Sequence, residues 1–527
     1  MPLRLATGRT GVCLSLLLPL TIALLPGCAA PPAPGGSGVS AAQPLRAATA
    51  PQDVAWLNRL TWGASASSLA EWQRLGRERW LQAQLQPGPV APLPAAVHAR
   101  IDAMAISRTP LPELARSLEA QRKQLDSIAD DAQKQAARQA YQQQLNGLAR
   151  EAASRMLLRA IYSPQQLREQ MTWFWFNHFN VHQGKHALRA AVGDYEEQLR
   201  THALGRFRDL LRASALHPAM LLYLDNAQNA AGHLNENYAR ELLELHTLGV
   251  DGGYGQGDVQ ALARVLTGLG VRLNDETPRV RPALQPSLWQ QGLVLFHPGR
   301  HDFGDKQLLG ETVRGTGMPE IGQVLDRLAR HPSTARFVSR RIAQYFVADV
   351  PPPALVERMS RRFQQTDGDI AQVLRTMVDS PEFAASLGHQ FKDPLHYVVS
   401  AVRLAYDDQP VLSTAPLLHW LNQLGETPYN HPTPDGYPLE QAAWAGPGQM
   451  NTRFEIARAI GAGSAGLFRA EGAPPPERLP PPQLASPLYR EGIAPALAPA
   501  TRQTLAQAGS PSEWNALLLA SPEFMHR

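Results

Sequence analysis

The chain has 527 residues, 44% of them hydrophobic and 18% charged, with 50 Lys and Arg against 46 Asp and Glu for a net charge of +4. This composition predicts a soluble globular protein with ample length to bury a core, as one large domain or two to four average ones. The small basic excess is spread without Lys/Arg runs, which argues against nucleic acid as a partner.

At the N-terminus, Arg4 and Arg9 precede an apolar run from Val12 to Leu25 that is too short and wrongly flanked for a stable membrane span. It reads as an export signal. The run ends in Leu25-Pro26-Gly27-Cys28, similar to the bacterial lipoprotein cleavage box, although Pro26 is an unusual occupant. That similarity implies a signal peptide over 1–28 and an acylated, palmitate-bearing Cys28 as the membrane contact. Ala29 in place of Asp implies the outer membrane, facing the periplasm or the cell surface. Cys13 lies within the segment to be removed, so the mature chain would have no disulfide. Residues 29–50, rich in Pro, Gly, Ser and Ala, read as a disordered tether.

From residue 51 the pattern is helical, and 51–471 reads as the main helical domain. Trp and Leu recur at three- and four-residue steps through 53–85, and 111–160 reads as one long helix or a helical hairpin. Further helices are predicted leading into 171–182 and at 193–214, 235–248, 257–268, 319–330, 333–348, 353–365, 368–378, 393–406 and 414–424. Short strand patterns near 271 and 293 could pair as a hairpin. The predicted fold class is all-α, one large multi-helix domain with a small β-hairpin insertion. Two segments, 373–383 and 515–524, run an apolar helix into Ser-Pro-Glu-Phe, read as a break followed by a Phe anchor. Residues 472–483 form a Pro-rich linker, and 484–527 are expected to be C-terminal helices docking on the main domain.

The densest charge pattern is Asn235–Gly253. On a helix over 235–248, Glu236, Asn237, Arg240, Glu241, Glu244 and Thr247 share one side, while Tyr238, Ala239, Leu242, Leu245 and His246 share the other. His246 is thereby separated from the carboxylates, so E-x-x-E-x-H is no metal motif. Glu236, Arg240 and Glu244 at i, i+4, i+8 make a ladder that supports an exposed helix by about 0.2–0.5 kcal/mol per pair. Against that bland reading, one Arg faces three acids, and a buried cluster of this kind raises one carboxyl's pKa as a general acid requires.

In MTWFWFNHFNVH (171–182), the aromatic density predicts a buried helix, while Trp173 and Trp175 with Asn177 and His178 would also suit a sugar-facing wall. His178 and His182 have the i, i+4 spacing of metal ligands, but no third ligand is apparent, and no metal or other cofactor is assigned. HPGRHDFGDKQLLG (297–310) brings His301, Asp302, Asp305 and Lys306 into a polar loop, either a structural turn or a site loop. GVDGGYGQGD (249–258) lacks the Lys-Ser or Lys-Thr of a P-loop; Gly249 is expected to end one helix and Asp258 to cap the next. G-x-S-x-G, H-E-x-x-H and paired cysteines are absent from the sequence.

The strings LNRLTWGAS (57–65), SPQQLREQMTWFWFNHFNV (163–181), LDN (224–226), NENYARELLELHTLGVDGGYGQGDV (235–259), HDFGDKQLLG (301–310) and LGETPYNHPTPDGYP (424–438) resemble the bacterial proteins grouped as domain of unknown function 1800. The resemblance runs from about 53 to 524. It implies one large helical domain, usually exported, often found beside a second exported family resembling sulfatases and alkaline phosphatases. His178, Asn235, Glu236, Arg240, Glu241, Glu244, His246, His301, Asp302 and Lys306 fall on that family's recurring polar positions.

The functional expectation is a lipid-anchored hydrolase of an envelope or extracellular glycan. Glu241, Glu244 and Asp302 would supply the carboxylates, with Trp173, Trp175, Asn177, His178, Asn237, Arg240, His301 and Lys306 holding substrate. Its rival is a non-catalytic envelope lipoprotein that binds or presents a partner exported enzyme. That rival predicts a polar face of 236–247 saturated by internal Arg partners, such as Arg240 with Arg264 or Arg340, and no open cleft above it. The hydrolase predicts a concave pocket where Glu241 or Glu244, His178 and Asp302 converge with unpaired oxygens.

Overall fold

The computed structural model describes residues 51–86, 88, 92–274, 276–469 and 479–527. Cys28, the 29–50 tether and most of the Pro-rich linker lie outside the described residues. The described residues form one compact unit. It is all-α with a small β insertion. Among the described residues no helix is long and apolar enough to cross a membrane.

The 111–160 segment is the hairpin alternative, Leu111–Ser127 and Asp131–Tyr162. The break falls where Asp130 caps the second helix, its carboxylate accepting from Gln133 N at 2.7 Å. The 193–214 segment also divides, into Val192–His202 and Phe207–Ala215. Backbone groups freed at that break pair across space, Phe207 N to Gly368 O at 2.9 Å and Ile370 N to Gly205 O at 3.0 Å. Both Ser-Pro-Glu-Phe segments are local caps, with Ser380 and Ser521 hydroxyls accepting from Phe383 N and Phe524 N. Phe383 then seats against Trp56 at 5.0 Å.

The strand insertion is larger than expected. β1 (Leu269–Val271) pairs antiparallel with β3 (Val294–Phe296), as the sequence pattern predicts, but β2 (Trp289–Gln291) joins the other edge of β3. A second hairpin, β4 (Lys306–Leu308) with β5 (Glu311–Val313), was not anticipated. It turns on Leu309 and Gly310, both at positive φ (53° and 77°), the conformation of tight two-residue hairpin loops.

Distant parts of the chain meet around buried cations. Arg59, on the first described helix (Pro51–Leu60), donates to the carbonyls of Phe346, Ser386 and Arg527. The C-terminal helix Pro511–Leu519 packs on Pro447–Gly461, and Asn515 Nδ2 bonds both Gly461 O (3.1 Å) and Pro482 O (2.8 Å).

Candidate functional site

The helix Gln166–His178 is buried on nearly every side, since its aromatic run leaves no polar stripe for solvent. Trp173 is 4% exposed and Trp175 0%. The expected sugar-facing wall is therefore core: Trp175 packs among Phe174, Phe179 and Phe207, and its indole N–H is spent on Ala203 O at 2.8 Å. His178 is likewise buried, its Nε2–H donating to His246 O at 3.1 Å. Burial, then the charge of Arg341 and His246, push its pKa well down, so it is a neutral ring. The helix ends at His178 and His182 lies beyond it, so the i, i+4 pair never forms one helical face. Among the described residues no group of three His, Cys, Asp or Glu is placed to hold a metal ion.

What this helix does is hold a loop. The Asn177 amide donates to Tyr437 O (2.8 Å) and accepts from Tyr437 N (2.6 Å). Asn180 Nδ2 bonds His431 O and Thr433 O at 3.0 and 2.7 Å. Gly436 has φ 74°, and a Cβ there would lie 2.2 Å from Asn177 O, so only glycine fits the close approach. Tyr223 adds a third tie, its hydroxyl donating to Pro432 O at 2.8 Å. The loop 430–438 is thus fixed, with Asp435 exposed at its tip.

The acidic helix runs over Asn237–Glu244, shorter than the pattern suggested. Asn235 Oδ1 accepts from Asn237 N, and Asn237 Nδ2 bonds Leu224 O, so Asn237 serves the backbone and not a ligand. Tyr238, Ala239, Leu242 and Leu243 are buried. Past Glu244 the chain widens, Leu248 N reaching Leu243 O and Thr247 Oγ1 reaching Leu242 O at 2.6 Å. That turn carries Thr247 inward, away from the polar side on which a continued α-helix would put it. His246 also points into the core, and burial lowers its pKa to about 3.

The three carboxylates of this helix differ. Glu236 takes Arg240 (3.2 Å) and Gln256 (2.7 Å), and Arg240 also bonds Gln256. Glu244 takes the Tyr254 hydroxyl at 3.4 Å. Glu241 is partly buried, and its carboxylate has no hydrogen bond or ion pair among the described residues. Its pKa is raised by burial first, then by the charge of Glu244, with Arg240 opposing and Asp435 adding to the rise. Burial raises the pKa of Tyr223, and the charges of Asp435 and Glu241 add to the rise. Glu241, Glu244, Asp435 and Tyr223 therefore share one electrostatic neighbourhood. Beside it, Lys185 bridges Tyr223 O (2.5 Å) and Asp225 Oδ2 (2.8 Å), with Asp225 itself at φ 61°.

Asp302 does not join this group. It is paired with Arg264 at 2.7 and 3.2 Å and accepts from Gly304 N, and the Arg264 hydrogen bond leads the causes that hold its pKa below the usual range. His301 and Lys306 are buried structural groups. His301 Nδ1 donates to Thr267 O at 2.8 Å, its Nε2 stands 3.2 Å from Glu320, and Lys306 Nζ reaches Glu320 at 2.5 Å. Arg264 is thereby committed away from the acidic helix.

Asp435, Tyr223 and Lys185 went unread in the sequence. The usable signal was Asp-Gly at 435–436, a turn pair that places an acid at a loop tip. No curated protein and no solved structure matches the chain. A family model, "Protein of unknown function (DUF1800)", matches residues 55–526, and the chain belongs to that family.

Proposed function

We propose that this chain is a hydrolase that cleaves a glycan by carboxylate acid/base catalysis, with Glu241 as proton donor and Asp435 in place of Asp302 as second carboxylate. The observation that supports this is Glu241 itself, a partly buried carboxyl without a partner, its pKa raised beside two other acids. A carboxyl whose pKa is raised is the better proton donor to a departing glycosidic oxygen. A second, exposed carboxylate in the same neighbourhood can activate water or attack the anomeric carbon. Glu244, tethered by Tyr254, tunes Glu241 through its charge. Outer-membrane anchoring through acylated Cys28, with an exported sulfatase- or phosphatase-like partner, completes the proposal.

Purified residues 53–527 should be screened against envelope glycans and against generic esterase, phosphatase and peptidase substrates, with E241Q and D435N in parallel. Glycan turnover lost in both variants is the expected result. Turnover retained by both would remove the site, and turnover confined to the other substrates would remove the glycan.

A further inference from the structure

The hairpin Leu111–Ser127 and Asp131–Tyr162 closes on a small core of its own, Leu114, Leu118, Leu145 and Leu148 with Ala190, separate from the main one. Between it and the body lies a slot of about 610 Å³. Small-molecule sites span roughly 300–1,000 Å³. The slot's depth is formed by buried Leu118, Leu145, Leu188, Pro218 and Leu293. Its polar residues are partly or fully exposed and therefore ring the mouth.

Charge at that mouth is unbalanced. Arg122 is neutralised by Glu119 at 2.8 and 2.9 Å and by Asp126 at 3.4 Å. Among the described residues Arg189 has no carboxylate partner: its two Nη atoms are held by Asn146 Oδ1 and Gln142 Oε1, both at 2.6 Å, and its Nε is buried without a partner. Arg138 is exposed and makes no ion pair among the described residues.

We propose that the slot binds a single acyl chain bearing an anionic head, the tail lying among the leucines and the head meeting Arg189 and Arg138. A peptide of equal apolar length would bury amide groups against the leucines of the slot's depth, a cost an acyl tail avoids. A guanidinium already oriented by two amide oxygens suits a carboxylate or phosphate, because little ordering remains on binding.

The test is displacement of cis-parinaric acid from the full chain by palmitate, by 1-palmitoyl-lysophosphatidylglycerol and by hexadecanol. Palmitate or the lysophospholipid should displace the probe, and whichever does so at lower concentration distinguishes a free fatty acid from a lipid-derived head. R189Q should weaken the anionic ligands by roughly tenfold while leaving hexadecanol unchanged. A187W and A115W, which fill the slot from opposite walls, should abolish binding of all three. If A187W fails to fold, A115W decides. The proposal is overturned if neither anionic amphiphile displaces the probe, if R189Q binds them like the parent, or if the slot is closed by a second copy, seen as self-association that A115W abolishes.

Discussion

The acidic helix Asn237–Glu244 and the loop 297–310 look alike as sequence, each a short run dense in charged side chains and His, yet the structure treats them oppositely. In the loop Asp302, Lys306 and His301 find partners, two of them on fully buried Glu320. On the helix the Glu241 carboxylate finds none among the described residues. Charge density does not separate a scaffold from a site; what separates them is whether a distant element supplies the counter-charge.

The comparison breaks most visibly at Glu320. E320Q leaves Lys306 and His301 buried with no anion, and unfolding in denaturant should show a loss of about 3–5 kcal/mol. If the loss is under about 1 kcal/mol, the loop is not the saturated scaffold described. G436A should come next, at about 1–3 kcal/mol, because it combines a positive φ with a Cβ placed against the Asn177 carbonyl. It should also reduce glycan turnover, since Asp435 rides on that turn.

The last two variants have opposite pH signatures. Asp302's folded-state pKa is depressed, so its ion pair stabilises above the unfolded value near 3.9 and is lost as pH falls through the folded value. D302N should cost up to about 1 kcal/mol at neutral pH and nothing in strong acid. Glu241's folded-state pKa is raised, so its ionisation costs stability as pH rises from the unfolded value toward the folded one. E241Q should therefore match or exceed the parent at neutral pH, by less than about 1 kcal/mol given solvent screening, and the difference should vanish in acid. Thermal unfolding across pH 3–8 resolves both signs, and a parent-like pH slope in E241Q would contradict the raised pKa.

Helical periodicity made the buried faces legible: Tyr238, Ala239 and Leu242 lie inward because spacing alone fixes their direction. It failed at Thr247, where the widened turn after Glu244 changes the rotation per residue. The β1 and β3 pairing was readable from two apolar runs, whereas β4 and β5 are three-residue strands joined at a left-handed Leu-Gly turn that leaves too short a pattern. Arg264 lies 38 residues from Asp302 and Asn177 lies 260 from Tyr437. No local signal encodes such pairings, which is why Asp302 stood in for Asp435 and why aromatic density at Trp173 and Trp175 was open to a binding reading.

The two-asparagine clamp also fixes the order in which this neighbourhood can form. A chain made N-terminus first completes the acidic helix by residue 244, but the loop that faces it does not exist until residue 438 has been added. Loop closure over so long a separation is slow. Glu241 therefore gains its second acidic neighbour only after almost the whole chain has been made, so a product truncated before residue 430 would carry the acidic helix without Asp435.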